Sequence, residues 1–156
     1  DALNYIHTHP ERIVHRDIKP SNIILQKNGE PKLIDFDIAH ARSSQTITQP
    51  KDGSFARIGT AQFSAPEQLT DSGMIGPPAD LFSLGIVLYE LCTYQLPYKS
   101  GNDPSLYGGQ LPALEQLEIP TLLYAIFCKL LYEKPEQRLT AAQLKEELQK
   151  CLAATS

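Results

Sequence analysis

Between Val14 and Leu25 the chain reads VHRDIKPSNIIL. A carboxylate, Asp17, and an amide, Asn22, stand five positions apart, with Arg16 and Lys19 as neighbouring cations and His15 at the head. A turn here needs the Pro and the Ser, but not an acid, an amide and two cations. A second short apolar run ends at Asp35, and the Asn28-Gly29 pair between the runs is a strong hairpin signal. A hairpin folds Asp35 back toward Asn22. A carboxylate and an amide oxygen side by side suit Mg²⁺, which takes one or two protein oxygens and fills its shell with water and substrate phosphate. Asp17 is then left as a base or orienting group, and Lys19 as a cation for a phosphoryl oxygen. Such a set suits phosphoryl transfer, where positioning and charge stabilisation carry most of the catalysis. Taken singly, Asp17, Asn22 and Asp35 read more readily as turn caps; only their grouping with motifs further along favours chemistry.

The elements that must position these residues are mostly helical. DALNYIHTH places Leu3 and Ile6 on one helical face and reads as the end of a helix already under way, so the chain reads as a fragment. NIIL (Asn22–Leu25) and PKLIDF (Pro31–Phe36) read as strands. From Ala39 to Thr60 the chain is polar and aperiodic, and a long loop inside a domain is often functional. Pro66 suits the first position of a short helix. PPADLFSLGIVLYELC predicts a helix from about Ala79 to Cys92, apolar nearly all round and therefore buried. Leu96–Pro120 is irregular, and TLLYAIFCKLLYE predicts an amphipathic helix over Thr121–Glu133. The last segment opens with a capping box, Thr140 and Gln143, and aligns Leu144, Leu148, Cys151 and Leu152 on one face. The expected fold is mainly α with short β-hairpins, as one domain over 1–152 with 153–156 as a tail.

Composition narrows the function classes. At 42% hydrophobic and 21% charged, the 156 residues suit one globular domain. A net charge of −4 argues against a nucleic-acid grip, which shows as a basic stripe. Cys92, Cys128 and Cys151 form no CxxC pair and read as buried thiols in a reducing compartment. The longest apolar run, LFSLGIVLYELC, has twelve residues including Glu90. A bilayer span needs ~20. With no signal peptide visible, the expected location is cytoplasmic, with room for a membrane tether outside this stretch.

As a set, HRDIKPSN, DFD and APE resemble the catalytic loop, the magnesium loop and the end of the activation segment of eukaryotic-type serine/threonine protein kinases. The spacings agree with that family: five residues from Asp17 to Asn22 and eighteen from Asp17 to Asp35. The resemblance covers about Ala2 to Leu152 and implies a protein-kinase-like C-terminal lobe. It implies Asp17 as the base for the substrate hydroxyl and Lys19 as the contact to the transferred phosphate. Lysine at that place also marks serine/threonine specificity. Asn22 and Asp35 are implied as ligands of Mg²⁺ (Mn²⁺ being compatible), and Ile24 as the floor beneath the adenine of ATP. Arg16 is implied as the receiver of an activation-loop phosphate, with Ser43, Ser44, Thr46, Thr48 and Ser54 as candidate acceptors. Thr60 would hydrogen-bond near Asp17 and Lys19, and Phe63 would shape the pocket beside the target residue. His15 and Phe36 are implied as packing residues, Glu67 and Arg138 as a buried ion pair, and Asp80 as the holder of the catalytic loop's backbone. The implied partner is a protein substrate offering a Ser or Thr hydroxyl.

The sequence also departs from the family's pattern. Asp37 stands where the family has glycine, a residue that enters positive φ freely. No GxGxxG, no VAIK-like strand lysine and no partner helix glutamate occurs in these residues, so the N-terminal lobe is expected to precede Asp1. Without it, Ile24, Phe36 and the end of the first helix would be uncovered, and the isolated chain would be marginally stable and inactive. Phe82 replaces a usual Trp, and Tyr94 a common Gly before LPY. The alternative is a non-catalytic kinase-like binding or scaffold module, which residues upstream of Asp1 would discriminate. Aspartate tolerates the left-handed region at some cost, so Asp37 should make the magnesium loop rearrange less readily. Asp37→Gly in the intact protein is therefore expected to alter metal affinity or turnover; unchanged values would make the substitution incidental.

Overall fold

The computed structural model describes residues 1–36, 62–69, 75–98, 111 and 116–155. In chain order the elements are α1 (Ala2–Thr8), β1 (Ile23–Leu25), β2 (Pro31–Leu33), α2 (Pro66–Leu69), α3 (Pro77–Thr93), α4 (Thr121–Leu130) and α5 (Ala141–Thr155). Two 3₁₀ turns, Pro20–Asn22 and Pro135–Gln137, complete them. The β-strands pair antiparallel with Ile23 opposite Leu33 and Leu25 opposite Pro31. Gly29, at φ 83°, closes their turn by donating to the Gln26 carbonyl at 2.9 Å. Asn28 keeps negative φ, so the Asn-Gly pair works through the left-handed glycine alone.

The fold is organised around α3. Gly76 precedes it, and Pro77 and Pro78 begin it, where a missing N–H costs nothing. Leu81, Phe82, Ile86 and Tyr89 are fully enclosed, so the helix is buried as its apolar composition predicts. Gly85 lets α4 approach closely: a Cβ there would lie 2.9 Å from the Leu130 Cβ and 3.0 Å from Leu131 Cδ2. Farther along, the Tyr89 and Phe127 rings meet edge to face at 5.4 Å. α5 packs on α4 and α1, with Leu144 and Cys151 in the core. Its capping box forms as expected: the Thr140 amide donates to Gln143 Oε1 at 2.9 Å and the Gln143 amide to Thr140 Oγ1 at 3.2 Å. Among the described residues no helix is long and apolar enough to cross a membrane.

Several expectations are corrected. The strands are shorter than their apolar runs, and β2 cannot reach Phe36 because Asp35 takes φ 65° and leaves the extended region. Helix α4 stops at Leu130, short of Glu133. The Tyr132 and Glu133 carbonyls accept instead from Arg138, at 2.8 and 2.9 Å. Pro135 then pushes Lys134 to an extended ψ of 118°. Only Cys151 is a buried thiol; Cys92 and Cys128 are exposed, on faces of α3 and α4 turned away from the core. Partial burial still raises the Cys92 pKa. Leu152, placed on the core face by periodicity, is 68% exposed.

Tyr94 ends α3 at φ 57° with its side chain in solvent. A left-handed β-carbon costs ~1–2 kcal/mol, so Tyr94→Gly is expected to raise unfolding free energy by about 1 kcal/mol. Gly85→Ala is expected to lower it by ~1–3 kcal/mol through overpacking. Urea unfolding at unchanged m-value checks both.

Candidate active site

The loop carrying His15, Arg16 and Asp17 crosses the start of α3, where Asp80 lies in the first turn and is fully buried. The Asp80 carboxylate accepts from the His15 amide and the Arg16 amide, each at 2.8 Å, one on each oxygen. His7 Nε2 lies 2.8 Å from the same oxygen that serves His15. This clamp fixes the peptide on the N-terminal side of Arg16, whose φ of 69° is one that a bulky non-glycine residue rarely adopts. His15 is buried and its Nε2 lies 3.0 Å from the Ile34 carbonyl. A carbonyl only accepts, so Nε2 carries the proton and Nδ1 is free to accept from the Asp17 amide at 3.3 Å. The imidazole thereby joins the loop to the hairpin, and Phe36 packs on its ring at 4.6 Å.

Asp17 is 5% exposed. Its Oδ2 accepts from Lys19 Nζ at 2.7 Å and from Asn22 Nδ2 at 3.0 Å. Asn22 Nδ2 also donates to the Asp17 carbonyl at 2.8 Å. Asp17 Oδ1 is buried without a hydrogen-bond partner among the described residues. The 3₁₀ turn, opened by Pro20 and closed by the Asn22 amide on the Lys19 carbonyl, brings Asn22 back to Asp17. The Asn22 carbonyl then accepts from the Ile34 amide at 3.0 Å, which sets Asp35 beside Asn22 along the backbone. Asp17, Lys19 and Asn22 are thus in direct contact, and Asp35, one residue beyond Ile34, is exposed. Ile24 is 49% exposed, on the hairpin. Arg16 Nε is likewise buried without a hydrogen-bond partner among the described residues, and burial lowers the Arg16 pKa against the opposing pull of Asp80. Thr60, Asp37 and the hydroxyls Ser43, Ser44, Thr46, Thr48 and Ser54 lie outside the described residues.

Glu67 and Arg138 form the expected pair with two parallel bonds, Nη1–Oε1 at 2.7 Å and Nη2–Oε2 at 2.9 Å. Arg138 also donates to the carbonyls of Pro78, Tyr132 and Glu133. Phe82 lies under the guanidinium at 4.7 Å and stacks on Tyr98. Phe63 is buried in the core cluster that includes Ile18 and Ala65, so its ring supports the segment from inside. Two residues went unseen in the sequence. His7 reaches Asp80 across 73 positions, with no local signal. Gln68 donates to the Arg16 carbonyl at 2.8 Å and accepts from the Ala65 amide at 2.9 Å. Its signal was available, since a Gln at the third position of a helix opened by Pro66 is half of a capping box.

The described residues form a mainly helical body with a small two-stranded sheet that holds an acid, a lysine and an asparagine around one loop, an arrangement consistent with a protein-kinase-like fold. The sequence matches the protein kinase domain family over residues 1–148, and the chain belongs to that family. It is 37% identical to a probable serine/threonine-protein kinase of Streptomyces coelicolor, covering 97% of this chain and 23% of the relative. It is 36% identical to serine/threonine-protein kinase PknB of Mycolicibacterium smegmatis, over 94% of this chain and 24% of the relative. Mitogen-activated protein kinase kinase kinase 1 of Arabidopsis thaliana is 37% identical over 92% of this chain. The chain spans about a quarter of the length of these relatives.

Removing one partner of a buried, hydrogen-bonded ion pair strands the other charge, at ~3–5 kcal/mol. The Arg138 side chain is wholly buried. Glu67→Ala is expected to lower the unfolding free energy by about 3 kcal/mol, the remaining carbonyl bonds of Arg138 limiting the loss. Denaturant unfolding measures it.

Proposed function

We propose that the chain is the catalytic and substrate-binding lobe of an ATP-dependent serine/threonine protein kinase. On this proposal the domain runs over residues 1–152, and the lobe that covers the nucleotide lies outside them. The observation that carries it is Asp17: a buried carboxylate with Oδ2 held by Lys19 and Asn22 and Oδ1 without a partner among the described residues. An unbonded acceptor of this kind suits a hydroxyl that arrives with the substrate.

Asp17 Oδ1 orients the Ser or Thr hydroxyl and takes its proton as the oxygen bonds to the γ-phosphorus of ATP, while the bond from that phosphorus to the β–γ bridging oxygen breaks and ADP leaves. Lys19 neutralises oxygen charge on the transferred group. The donor chemistry fits magnesium. Asn22 uses its nitrogen on Asp17, so it offers a cation only oxygen, and Asp35 is exposed and follows Ile34, whose amide is bonded to the Asn22 carbonyl. Among the described residues no three His, Cys, Asp or Glu side chains converge. A donor set of one carboxylate, Asp35, and one amide oxygen, Asn22, suits an ion that keeps several waters. Magnesium, or manganese, supplies charge neutralisation on the phosphates when bound. Ile24 offers an apolar surface to adenine. Arg16, with Nε buried and unpartnered, fits an anion on the activation segment, one of Ser43, Ser44, Thr46, Thr48 or Ser54 once phosphorylated. Thr60 and Phe63 belong to the substrate-docking end, and the expected location is cytoplasmic.

Asp17→Asn keeps the size of the side chain and removes the base, so transfer from Mg-ATP to a Ser/Thr peptide by the full-length protein is expected to fall about a hundredfold or more. Thermal unfolding should show both proteins folded. A folded wild-type protein without phosphoryl transfer, or full activity in the variant, overturns the proposal and favours a binding module.

A further inference from the structure

We infer that Gln68 is a positioning residue for Asp17: its side-chain amide fixes the peptide plane immediately before that carboxylate. The inference rests on the kinase function proposed above. The Arg16–Asp17 peptide has two hydrogen-bonding groups. Its N–H donates to His15 Nδ1 at 3.3 Å, a long bond, and its carbonyl accepts from Gln68 Nε2 at 2.8 Å, a short one. Asp80 holds the amides of His15 and Arg16, upstream of this peptide, and so leaves its rotation free. Arg16 is in the left-handed region at φ 69°. A non-glycine residue there lies above its ordinary conformations by ~1–2 kcal/mol, so something must hold it. Rotating this peptide would swing the Asp17 side chain away from Lys19 and Asn22.

The Gln68 amide has only one orientation that works. The Ala65 amide needs an acceptor and the Arg16 carbonyl needs a donor, so Oε1 must face Ala65 and Nε2 must face Arg16. The same side chain therefore caps α2 and sets the catalytic loop. Its neighbour Glu67 is bolted to the buried Arg138. The position of α2, which follows the activation segment in sequence, is transmitted in this way to the reacting carboxylate.

The two bonds can be separated. In the full-length protein, Gln68→Glu keeps the acceptor for Ala65 and loses the donor to Arg16. Gln68→Lys keeps a donor and loses the acceptor, and Gln68→Met loses both. Loss of one net hydrogen bond at a strained peptide corresponds to about tenfold in an equilibrium constant. The Glu and Met variants are expected to lose kcat about tenfold with KM for Mg-ATP unchanged, and the Lys variant to restore most of the loss. Hydrogen exchange at the Asp17 amide, which needs no activity, is expected to quicken in Glu and Met and not in Lys. A purely structural cap reverses the order: Glu behaves as wild type, and Lys and Met lose thermal stability and activity together. That reversed order, or unchanged exchange at Asp17 in Glu and Met, overturns the inference. If wild type transfers phosphate and Asp17→Asn does not, the proposed function stands whatever the Gln68 variants do. If wild type is inactive, that function fails while the exchange experiment still decides Gln68's grip on the loop.

Discussion

The buried carboxylate of Asp80 is the contact on which the site depends. An ionised carboxylate removed from water is costly unless every oxygen is engaged. Here the engaging groups are two consecutive loop amides and an imidazole from α1. The exchange works in both directions. Those amides belong to a loop whose backbone could not satisfy them locally in its left-handed bend, and the carboxylate could not be buried without them. Asp80 also sits in the first turn of α3, where the helix dipole favours negative charge. The His15–Asp17 loop is therefore attached to the deeply buried helix α3.

A second attachment starts at the other side of the loop. Arg138 is enclosed by Glu67, three carbonyls and the face of Phe82, so the short helix α2 is held by a guanidinium with every direction occupied. Four residues of helix would not persist alone. Gln68 extends from that helix to the Arg16 carbonyl. The loop, α3 and α2 thus form one continuous set of charge-assisted and amide bonds. Phe82 fits this arrangement without the larger Trp of the family because Tyr98 stacks on it at 6.2 Å and fills the same layer.

The hairpin is different in character. Its strands have three residues each, and Ile24, Leu25, Ile34 and Phe36 are exposed on it or at its end. Two short strands with exposed apolar side chains are weak by themselves. They are held by the Ile34 amide on Asn22 and by the His15 imidazole on the Ile34 carbonyl. The hairpin's place therefore depends on the loop that carries His15 and Asn22, and the backbone leading to Asp35 is set by the same two bonds.

Much of this was legible in the residues. The turn at Pro20 between Lys19 and Asn22 is a local property, and the structure forms it; the hairpin signal set Asn22 toward Asp35 and gave no sign of its amide turned onto Asp17. The apolar run of α3 and the Thr140–Gln143 box are local too, and both formed. Glu67 with Arg138, 71 positions apart, was visible only through the family resemblance, because nothing near either residue names its partner. The strand ends, the stop of α4 at Leu130 and the exposure of Cys92, Cys128 and Leu152 were misread, since periodicity records apolar faces and not which faces find a neighbour. His7 on Asp80 and Gln68 on Arg16 were decided by tertiary structure alone. The sequence by itself determined which chemical groups stand within one turn of each other. Which buried donor meets which buried acceptor across the chain was decided by helix packing, because those bonds are selected by the need to leave no enclosed polar group unmatched.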